Sequence, residues 1–353
     1  MVRLLAACLK EAGFRVLAKT TGSKAVIIYP DGQQREIKRL GPATILEQKG
    51  LLKIGAELRV NSLVCELMSI QPESAWIESV RILKPHILII TNVRLDHLAQ
   101  MGSSLKEIAT SLASSIPENS TVFIPQAEFF SAFQKKTDKG KTKIIQVTEE
   151  DRLQEIPSDL KLHYLEFREN IRLALAVAEY LGIKKEISWQ GIAKVEPDYG
   201  SLKIWKMKLT FPGRGLYLAS AFAANDPQSS RQVVTELLRK KELAGKKIIG
   251  LLNFRRDRGD RTLQWLKALK ENTFPEIDEF YLAGGHSQAF MRRVNREIKS
   301  KVKMVNKEEP EAIIKQIGAD QREDILLIGM ANMGGLGQEM VNYWQRMAEA
   351  YDL

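Results

Sequence analysis

Short apolar runs alternate with longer segments in which apolar residues recur every three or four positions, along nearly all of the 353 residues. The runs are typical of buried strands and the longer segments of amphipathic helices, so the alternation predicts parallel α/β architecture. Clear helical patterns cover residues 46–56, 105–115 and 168–181. The predicted strands cover residues 15–18, 62–67, 86–91, 121–124, 143–147, 203–210, 216–222, 247–252, 279–283, 301–305 and 324–329.

A polar segment with proline and glycine, residues 184–200, separates two series of predicted strands. A chain of this length is expected to form about two domains. We therefore predict one domain of residues 1–190 and a second of residues 191–353. The first helical pattern begins directly at Met1, and no strand pattern or capping residue comes before it.

Amino-acid composition and cysteine content exclude several classes of protein. The chain is 44% hydrophobic and 27% charged, which is typical of a soluble globular protein and unlike a disordered or collagen-like one. Cys8 and Cys65 each lie in an apolar run, a placement that argues against a disulfide framework or a cysteine zinc site. A reducing, cytoplasmic setting is therefore favoured.

The charge is strongly basic and unevenly distributed. The formal net charge is +10, and residues 231–310 alone contain 19 basic and 11 acidic residues. Such a surplus suits a phosphate, a polyanion, an anionic membrane surface or a nucleic acid. A solvated basic face explains it equally well.

Polar residues follow two predicted strands of the first half. Ligands bind beyond the carboxyl ends of strands in open α/β sheets. We expect Glu66 at the end of a buried strand, where a carboxylate needs a metal ion, a substrate or a cationic partner. The alternative is a structural role, in which Glu66 is paired with a neighbouring lysine or with a helix N-terminus. Asn92, Asp96 and His97 follow the next strand, and they combine oxygen ligands suited to magnesium with an imidazole.

Four polar or glycine-rich segments follow strands in the second half. In the first, Asp226 could bind ribose hydroxyls, and Ser229 or Ser230 would cap the next helix. In the second, arginine guanidinium groups match phosphate or carboxylate oxygens. The third segment, residues 284–287, contains His286, for which a structural role is the simpler interpretation. The fourth, residues 329–337, is a glycine-rich turn, which on its own is only weak evidence for phosphate binding. The segments are residues 224–230, 253–258, 284–287 and 329–337.

Five of these segments together resemble the ligase subunit of poly-γ-glutamate synthase, the PgsB/CapB type, within the Mur ligase and folylpolyglutamate synthetase superfamily. The resemblance covers essentially the whole chain, and its specificity comes from the order and spacing of the motifs. The motifs are LAKTTG at 17–22, VCELMSIQPE at 64–73, ITNVRLDH at 90–97, FAANDP at 222–227 and NFRRDRGDRT at 253–262.

The resemblance implies a Mur-ligase-type central ATP-binding domain with a parallel sheet, followed by a Rossmann-like ligase domain that closes over the nucleotide. It implies an ATP-dependent γ-glutamyl amide ligase that uses ATP and Mg²⁺ and forms an acyl phosphate, which an amine attacks. It also implies glutamate and the poly-γ-glutamate chain as substrates, and membrane-bound synthase subunits of the CapC or PgsC type as partners. The expected location is the cytoplasm, at the inner face of the cell membrane, and no nucleic-acid partner is expected.

Roles for individual residues follow from the same resemblance. Glu66 and His97 match the superfamily's metal-associated glutamate and histidine, and Asn225 with Asp226 matches its nucleotide-binding segment. The implied catalytic residues are Asp96, His97 and Arg258, the ATP-binding residues are Asn92, Asn225, Asp226 and Arg255, and the metal ligands are Glu66 and His97.

The beginning of the chain departs from the family pattern. Family members carry a Gly-x-x-Gly-Lys-Ser/Thr loop just before the first helix, and this loop supplies a backbone cradle, a lysine and a hydroxyl group to the phosphates and magnesium. Here the helix begins at Met1. We expect Met1 to lie inside a longer reading frame, and the printed chain alone to be poorly soluble and without glutamate-dependent ATPase activity. The alternative is a truncated, non-catalytic partner or scaffold of a membrane-associated capsule synthase complex.

Overall fold

The computed structural model describes residues 1–22, 24–39, 41, 43–137, 141–148, 157, 166–208, 215–319 and 323–351. These residues fall into two compact units, unit 1 up to Pro197 and unit 2 from Asp198 onward. Each unit contains parallel strands connected by helices. This arrangement is the α/β architecture that the sequence predicts.

Unit 1 contains two sheets. In the first, β1 (Val16–Lys19) pairs with β4 (Ser62–Cys65) in parallel, and the hairpin of β2 (Val26–Ile28) and β3 (Gln34–Glu36) adds antiparallel to β1. The second sheet is parallel, in the order β5 (Ile87–Ile89), β6 (Thr121–Pro125) and β7 (Lys143–Val147). The hairpin was not predicted, because β3 is polar and exposed along its whole length and so has no apolar pattern.

The helices of unit 1 follow the apolar periodicity. The first begins after Met1, as predicted, and buries Leu4, Leu5, Cys8 and Leu9 on one face. The helices are α1 (Val2–Glu11), α2 (Leu46–Glu57), α3 (Pro72–Trp76), α4 (Leu98–Met101), α5 (Leu105–Ala113), α6 (Ser131–Thr137), α7 (Arg168–Tyr180) and α8 (Lys185–Ala193); α3 continues as a π-helix over Ile77–Leu83, and a short 3₁₀-helix covers Gln126–Glu128.

Unit 2 contains one seven-stranded sheet in the order β12-β11-β10-β13-β9-β8-β14. The five strands from β12 to β9 are parallel, whereas β8 and β14 are antiparallel to their neighbours. The strands are β8 (Ile204–Lys208), β9 (Gly215–Ser220), β10 (Lys247–Phe254), β11 (Glu279–Gly284), β12 (Val302–Met304), β13 (Ile325–Met330) and β14 (Glu349–Ala350).

Helices connect the parallel strands of unit 2, and their buried side chains form a core that includes Phe222 stacked on Trp344. The helices are α9 (Pro227–Leu238), α10 (Gly259–Lys270), α11 (Ser287–Arg293), α12 (Arg296–Lys299), α13 (Pro310–Ala319) and α14 (Leu336–Met347), with a 3₁₀-helix at Lys241–Leu243. Because β9, β10, β11 and β13 are parallel neighbours, the four segments that follow them emerge at one edge of the sheet.

No helix in the described part of the chain combines the length and the apolar character that crossing a lipid bilayer requires.

Candidate functional site

Glu66 lies directly after β4, at the carboxyl ends of the paired strands β1 and β4. Its Oε2 accepts a hydrogen bond of 2.9 Å from the backbone N–H of Thr21, and its own N–H donates to the carbonyl of Lys19 at 3.1 Å. The residue is exposed, which corrects the expectation of a buried carboxylate. Glu66 therefore needs no neutralising partner, and its Oε1 accepts no hydrogen bond from any described residue.

The buried carboxylate of this region is instead Glu78, in the π-helix, which is fully shielded from solvent. Its Oε2 accepts a 2.9 Å hydrogen bond from the N–H of Ser69, and its Oε1 accepts one of 3.1 Å from the N–H of Met68. Gln48, also fully buried, donates through Nε2 to Glu78 at 2.6 Å and to the carbonyl of Glu66 at 3.2 Å. Glu78 and Gln48 thus fix the backbone of the loop that begins at Glu66.

Three buried oxygen atoms around Glu78 have no hydrogen-bond partner within the described residues: Gln48 Oε1, Ser69 Oγ and Ser79 Oγ. Buried polar atoms usually have a partner, a water molecule included. Gln48 donates to both the Glu66 carbonyl and the Glu78 carboxylate, so the unpartnered Gln48 Oε1 lies beside the loop that begins at Glu66. Mg²⁺ binds through one or two carboxylates and keeps several of its waters. An exposed carboxylate with one unbonded oxygen is chemically suited to a hydrated magnesium ion, and binding of Mg²⁺ by Glu66 stays a prediction.

A buried amine lies beside this loop. Lys19, the last residue of β1, is 1% exposed, and its Nζ is 3.5 Å from Glu47 Oε2 and 3.9 Å from Met68 Sδ. Arg39 donates to Glu47 through two hydrogen bonds and lowers the pKa of that carboxyl. Burial raises the pKa of the neighbouring Cys65 thiol to about 11. The Lys19 amine therefore lies in the protein interior, at the end of β1, the strand paired with the one that Glu66 follows.

The predicted residues after β5 form a second cluster. Asn92 is exposed. Asp96 Oδ1 accepts a 2.9 Å hydrogen bond from the N–H of His97, and Asp96 Oδ2 lies 3.6 Å from His97 Nε2. His97 has a φ of 52°, a left-handed backbone conformation at the amino end of α4. Glu128, which accepts hydrogen bonds from the Val93 N–H and from Arg94, anchors this loop to the end of β6.

Glu66 and His97 therefore follow strands of two different sheets of unit 1. Within the described ranges, no three histidine, cysteine, aspartate or glutamate side chains are grouped so that they could hold a metal ion. Joint ligation of one ion by Glu66 and His97 stays a prediction.

In unit 2, Asp226 caps α9. Its Oδ1 accepts a 2.9 Å hydrogen bond from the N–H of Ser229, and its Oδ2 accepts one of 2.6 Å from the Ser229 hydroxyl. The carboxylate thus does the capping that was expected of Ser229 or Ser230, because its two oxygens reach the first turn directly. Asn225 is half-buried, and its carbonyl accepts a hydrogen bond from Trp265 Nε1. ATP binding by Asn225 and Asp226 stays a prediction.

The arginine segment after β10 is largely exposed. Arg255 forms a two-pronged ion pair with Asp257, with distances of 2.9 and 2.7 Å, and lowers the pKa of that carboxyl. The guanidinium group lies against Gly334, where a Cβ atom would overlap it, so a larger residue there would displace the Arg255 side chain. Arg258, which is half-buried, precedes α10.

A buried polar network links two of the strand ends. Asn253 donates through Nδ2 to the Asn332 carbonyl at 2.7 Å, and Asn332 donates back to the Asn253 carbonyl at 2.8 Å. Arg261, 5% exposed, donates to Asn332 Oδ1 at 2.8 Å. The network fixes the segment after β13 against the end of β10. The arginine segment begins directly after this fixed strand end.

Sequence reasoning missed Gln48, Glu78 and Asn332 as organisers of these loops. Glu78 carries a detectable signal, since it lies among apolar residues of a helical segment where a charge is unusual. Gln48 and Asn332 carry none, because amides are common on both exposed and buried helix and loop positions. Their roles depend on which strand ends the fold brings together.

Two family models match the two units separately, and solved structures match nearly the whole chain. The Mur ligase middle domain family matches residues 2–195, and the poly-gamma-glutamate synthase CapB C-terminal domain family matches residues 207–347. A solved structure of MurF from Acinetobacter baumannii superposes with a TM-score of 0.64 at 16% identity, over 96% of this chain and 73% of that one. A bifunctional folylpolyglutamate synthase/dihydrofolate synthase from Yersinia pestis, complexed with AMPPNP and Mn ion, superposes with a TM-score of 0.68 at 14% identity, over 97% and 85%.

Two curated relatives are similar in sequence. The capsule biosynthesis protein CapB of Bacillus anthracis is 32% identical over 76% of this chain, and the chain spans 57% of the length of that protein. The PGA synthase CapB of Bacillus subtilis strain 168 is 34% identical over 83% of this chain and 73% of its own length. The polar strand ends, the α/β units and these matches agree, and the chain belongs to the CapB group of the Mur ligase family.

Proposed function

We propose that this protein is an ATP-dependent ligase that forms the γ-glutamyl amide bonds of poly-γ-glutamate. The observation that carries the proposal is the exposed Glu66 carboxylate, fixed at the carboxyl ends of β1 and β4 by Thr21, Gln48 and Glu78. The relatives' names, capsule biosynthesis protein and PGA synthase, support the choice of polymer. The nucleotide and metal in the Yersinia pestis structure support ATP and a divalent cation as cofactors.

The proposed reaction has two steps. A carboxylate oxygen of glutamate attacks the γ-phosphorus of ATP, the bond to ADP breaks, and an acyl phosphate forms. The amine of the second glutamate then attacks the acyl carbon and loses a proton, the bond to phosphate breaks, and an amide and inorganic phosphate result. Bound Mg²⁺ would neutralise phosphate charge during the first step.

The chain's own residues have defined tasks in this proposal. Glu66 offers its unbonded Oε1 as the magnesium ligand, and Gln48 with Glu78 keeps its loop in place. His97, oriented by Asp96, would bind or position phosphate. In unit 2, Asn225, Asp226 and Arg255 are the proposed nucleotide contacts, and Arg258 is a proposed catalytic contact.

A scaffold role is the second candidate function. Binding to membrane-bound synthase subunits is proposed in either case, at the inner face of the cell membrane. The two candidates differ in nucleotide chemistry, since a scaffold needs neither ATP binding nor phosphate release.

The test uses protein expressed from its own gene in its own cells and isolated through a carboxyl-terminal tag. We call it the natively expressed protein. With ATP and Mg²⁺, we expect phosphate release that depends on added glutamate, together with γ-linked glutamate products detected by mass spectrometry. Calorimetry with Mg-ATP measures binding in parallel. Absence of both binding and turnover would support the scaffold and contradict the ligase.

A further inference from the structure

A strongly basic surface lies at one edge of the unit 2 sheet, outside the candidate site described above. It is formed by the end of α11, by α12, and by the edge strand β12 with its flanking residues. Residues 287–307 contain seven basic residues and one acidic residue, Glu297, a net charge of +6 out of +10 for the whole chain. This surface, called the basic edge, consists of Arg292, Arg293, Arg296, Lys299, Lys301, Lys303 and Lys307.

Most of these charges are not neutralised by any residue that the structure describes. All except Lys303 are exposed, and none of those exposed six forms an ion pair with any described residue. Lys303 is bound to Glu279 at 3.0 Å. The basic edge thus concentrates unpaired cations on one surface.

Hydrogen bonds link the loop after β12 to the segment after β11, and that segment to the arginine segment after β10. Glu308, the neighbour of Lys307, accepts a 2.9 Å hydrogen bond from the N–H of Gly284 at the carboxyl end of β11. His286, two residues after Gly284, forms a 2.9 Å hydrogen bond through Nε2 with the carbonyl of Arg256. Lys307 therefore lies near the carboxyl end of β11, the strand next to β10, and Lys301 lies at the amino end of β12.

We propose that the basic edge binds the growing poly-γ-glutamate chain, an inference that rests on the proposed function. A γ-linked polymer carries one free α-carboxylate on every residue, so it is a linear polyanion to which the exposed cations on α11, on α12 and beside β12 offer several charge contacts. Arginine forks bind carboxylates through two hydrogen bonds. Successive residues of the product would leave the arginine segment along the basic edge.

The structure favours a soluble polyanion over an anionic membrane as the occupant. Membrane-surface segments present large apolar side chains beside their basic residues. Among described residues, none of the large exposed apolar side chains lies between residues 287 and 307. The surface therefore offers charge without the apolar anchor that a bilayer requires.

The experiment measures binding of a fluorescent γ-linked glutamate oligomer to the natively expressed protein by anisotropy. The test variant carries Arg292→Gln, Arg293→Gln and Arg296→Gln, and the control carries Lys49→Gln, Lys241→Gln and Lys270→Gln, three exposed lysines without ion pairs among the described residues. We expect about ten-fold weaker binding for the test variant, since three exposed charge contacts are lost, and no more than about two-fold for the control. Salt should weaken binding by the wild type.

The possible outcomes separate the interpretations. Equal binding of the oligomer by wild type and test variant would overturn the basic edge as the product surface. Loss of binding to anionic phospholipid vesicles without loss of oligomer binding would also overturn it, in favour of a membrane surface. Phosphate release with free glutamate should be unchanged in the test variant, so failure of the ligase proposal would appear separately, as absent turnover in the wild type.

Discussion

At the scale of single residues, substitution of Glu66 tests metal binding without disturbing the fold. The side chain is exposed and accepts one hydrogen bond from the protein. We predict that Glu66→Gln lowers glutamate-dependent phosphate release by about 100-fold or more, because removal of a fixed charge at a reacting site typically costs that much. The melting temperature should stay close to that of the wild type.

The matched control is Glu73→Gln, which removes another exposed carboxylate from the same region. We expect wild-type turnover in this variant. If Glu66→Gln retained more than about a tenth of the activity, Glu66 would not be the magnesium ligand.

Glu78 tests whether the loop must be held in place. Glu78→Ala removes the acceptor for the N–H groups of Met68 and Ser69, and leaving such buried donors unpaired costs about 1–3 kcal/mol. We predict a lower melting temperature and a higher Mg²⁺ concentration for half-maximal phosphate release. Glu78→Gln, which retains one carbonyl acceptor, should lie between the alanine variant and the wild type. A lower melting temperature with an unchanged Mg²⁺ requirement would restrict Glu78 to a structural role.

These two glutamates show how far single residues can be interpreted from sequence. The apolar run before Glu66 indicates a strand end, and that placement is correct. Exposure could not be inferred, because it depends on where Thr21 and the neighbouring strand lie. The same uncertainty hid Glu78, whose partners lie on a distant helix and on the loop after β4.

At the scale of elements, α9 depends on its amino-terminal cap. We predict that Asp226→Ala destabilises unit 2 by about 1 kcal/mol, because the N–H of Ser229 loses its acceptor. Asp226→Ser restores a capping oxygen and should recover most of the stability. Urea unfolding of both variants measures the difference. Equal loss of stability in both would contradict the capping interpretation.

The beginning of α2 should confer acid-sensitive stability on unit 1. Hydrogen bonds from Arg39 lower the pKa of Glu47 from its ordinary value of 4.5. A carboxyl group with a lowered pKa in the folded protein stabilises it above the unfolded pKa, and this contribution disappears as the pH falls through the folded value. We predict that Arg39→Gln lowers the melting temperature at pH 6, and that the difference from wild type shrinks below about pH 4.5.

Arg35→Gln is the control for this pH dependence, since Arg35 is exposed on β3. It should change the melting temperature little at either pH. A difference between Arg39→Gln and wild type that stayed constant with pH would show that Glu47 does not titrate with folding.

Elements with a strong apolar pattern could be predicted, and others could not. The predicted strand at residues 143–147 coincides with β7, and that at 62–67 corresponds to the shorter β4. The hairpin of β2 and β3 could not be predicted, since its strands contain three residues each and β3 is entirely polar. The predicted strand at residues 203–210 extends beyond the described residues at its end. Its antiparallel pairing to β9 is not encoded in an apolar pattern.

At the scale of the whole molecule, alternation of strands and helices predicts the α/β class, and the family comparisons confirm it. What the alternation could not show is which strands are neighbours. In the described parts of unit 1, β4 pairs only with β1 and β5 pairs only with β6, so the two parallel sheets are separate. Hydrophobic patterns identify the buried faces of strands, whereas pairing depends on backbone groups that all residues share.

Lys301 and Lys303, at the edge strand β12, affect whether two molecules of this protein can associate through their sheets. A strand at the edge of a sheet exposes unpaired backbone groups, to which a strand of another molecule could add. Here Val302 is buried in the sheet, Lys301 directly precedes β12, and Lys303 lies on β12, the outermost strand. A second copy approaching in register would bring like charges together and would have to desolvate them. The same residues proposed to bind an anionic product would thereby keep the protein from aggregating while that product is absent.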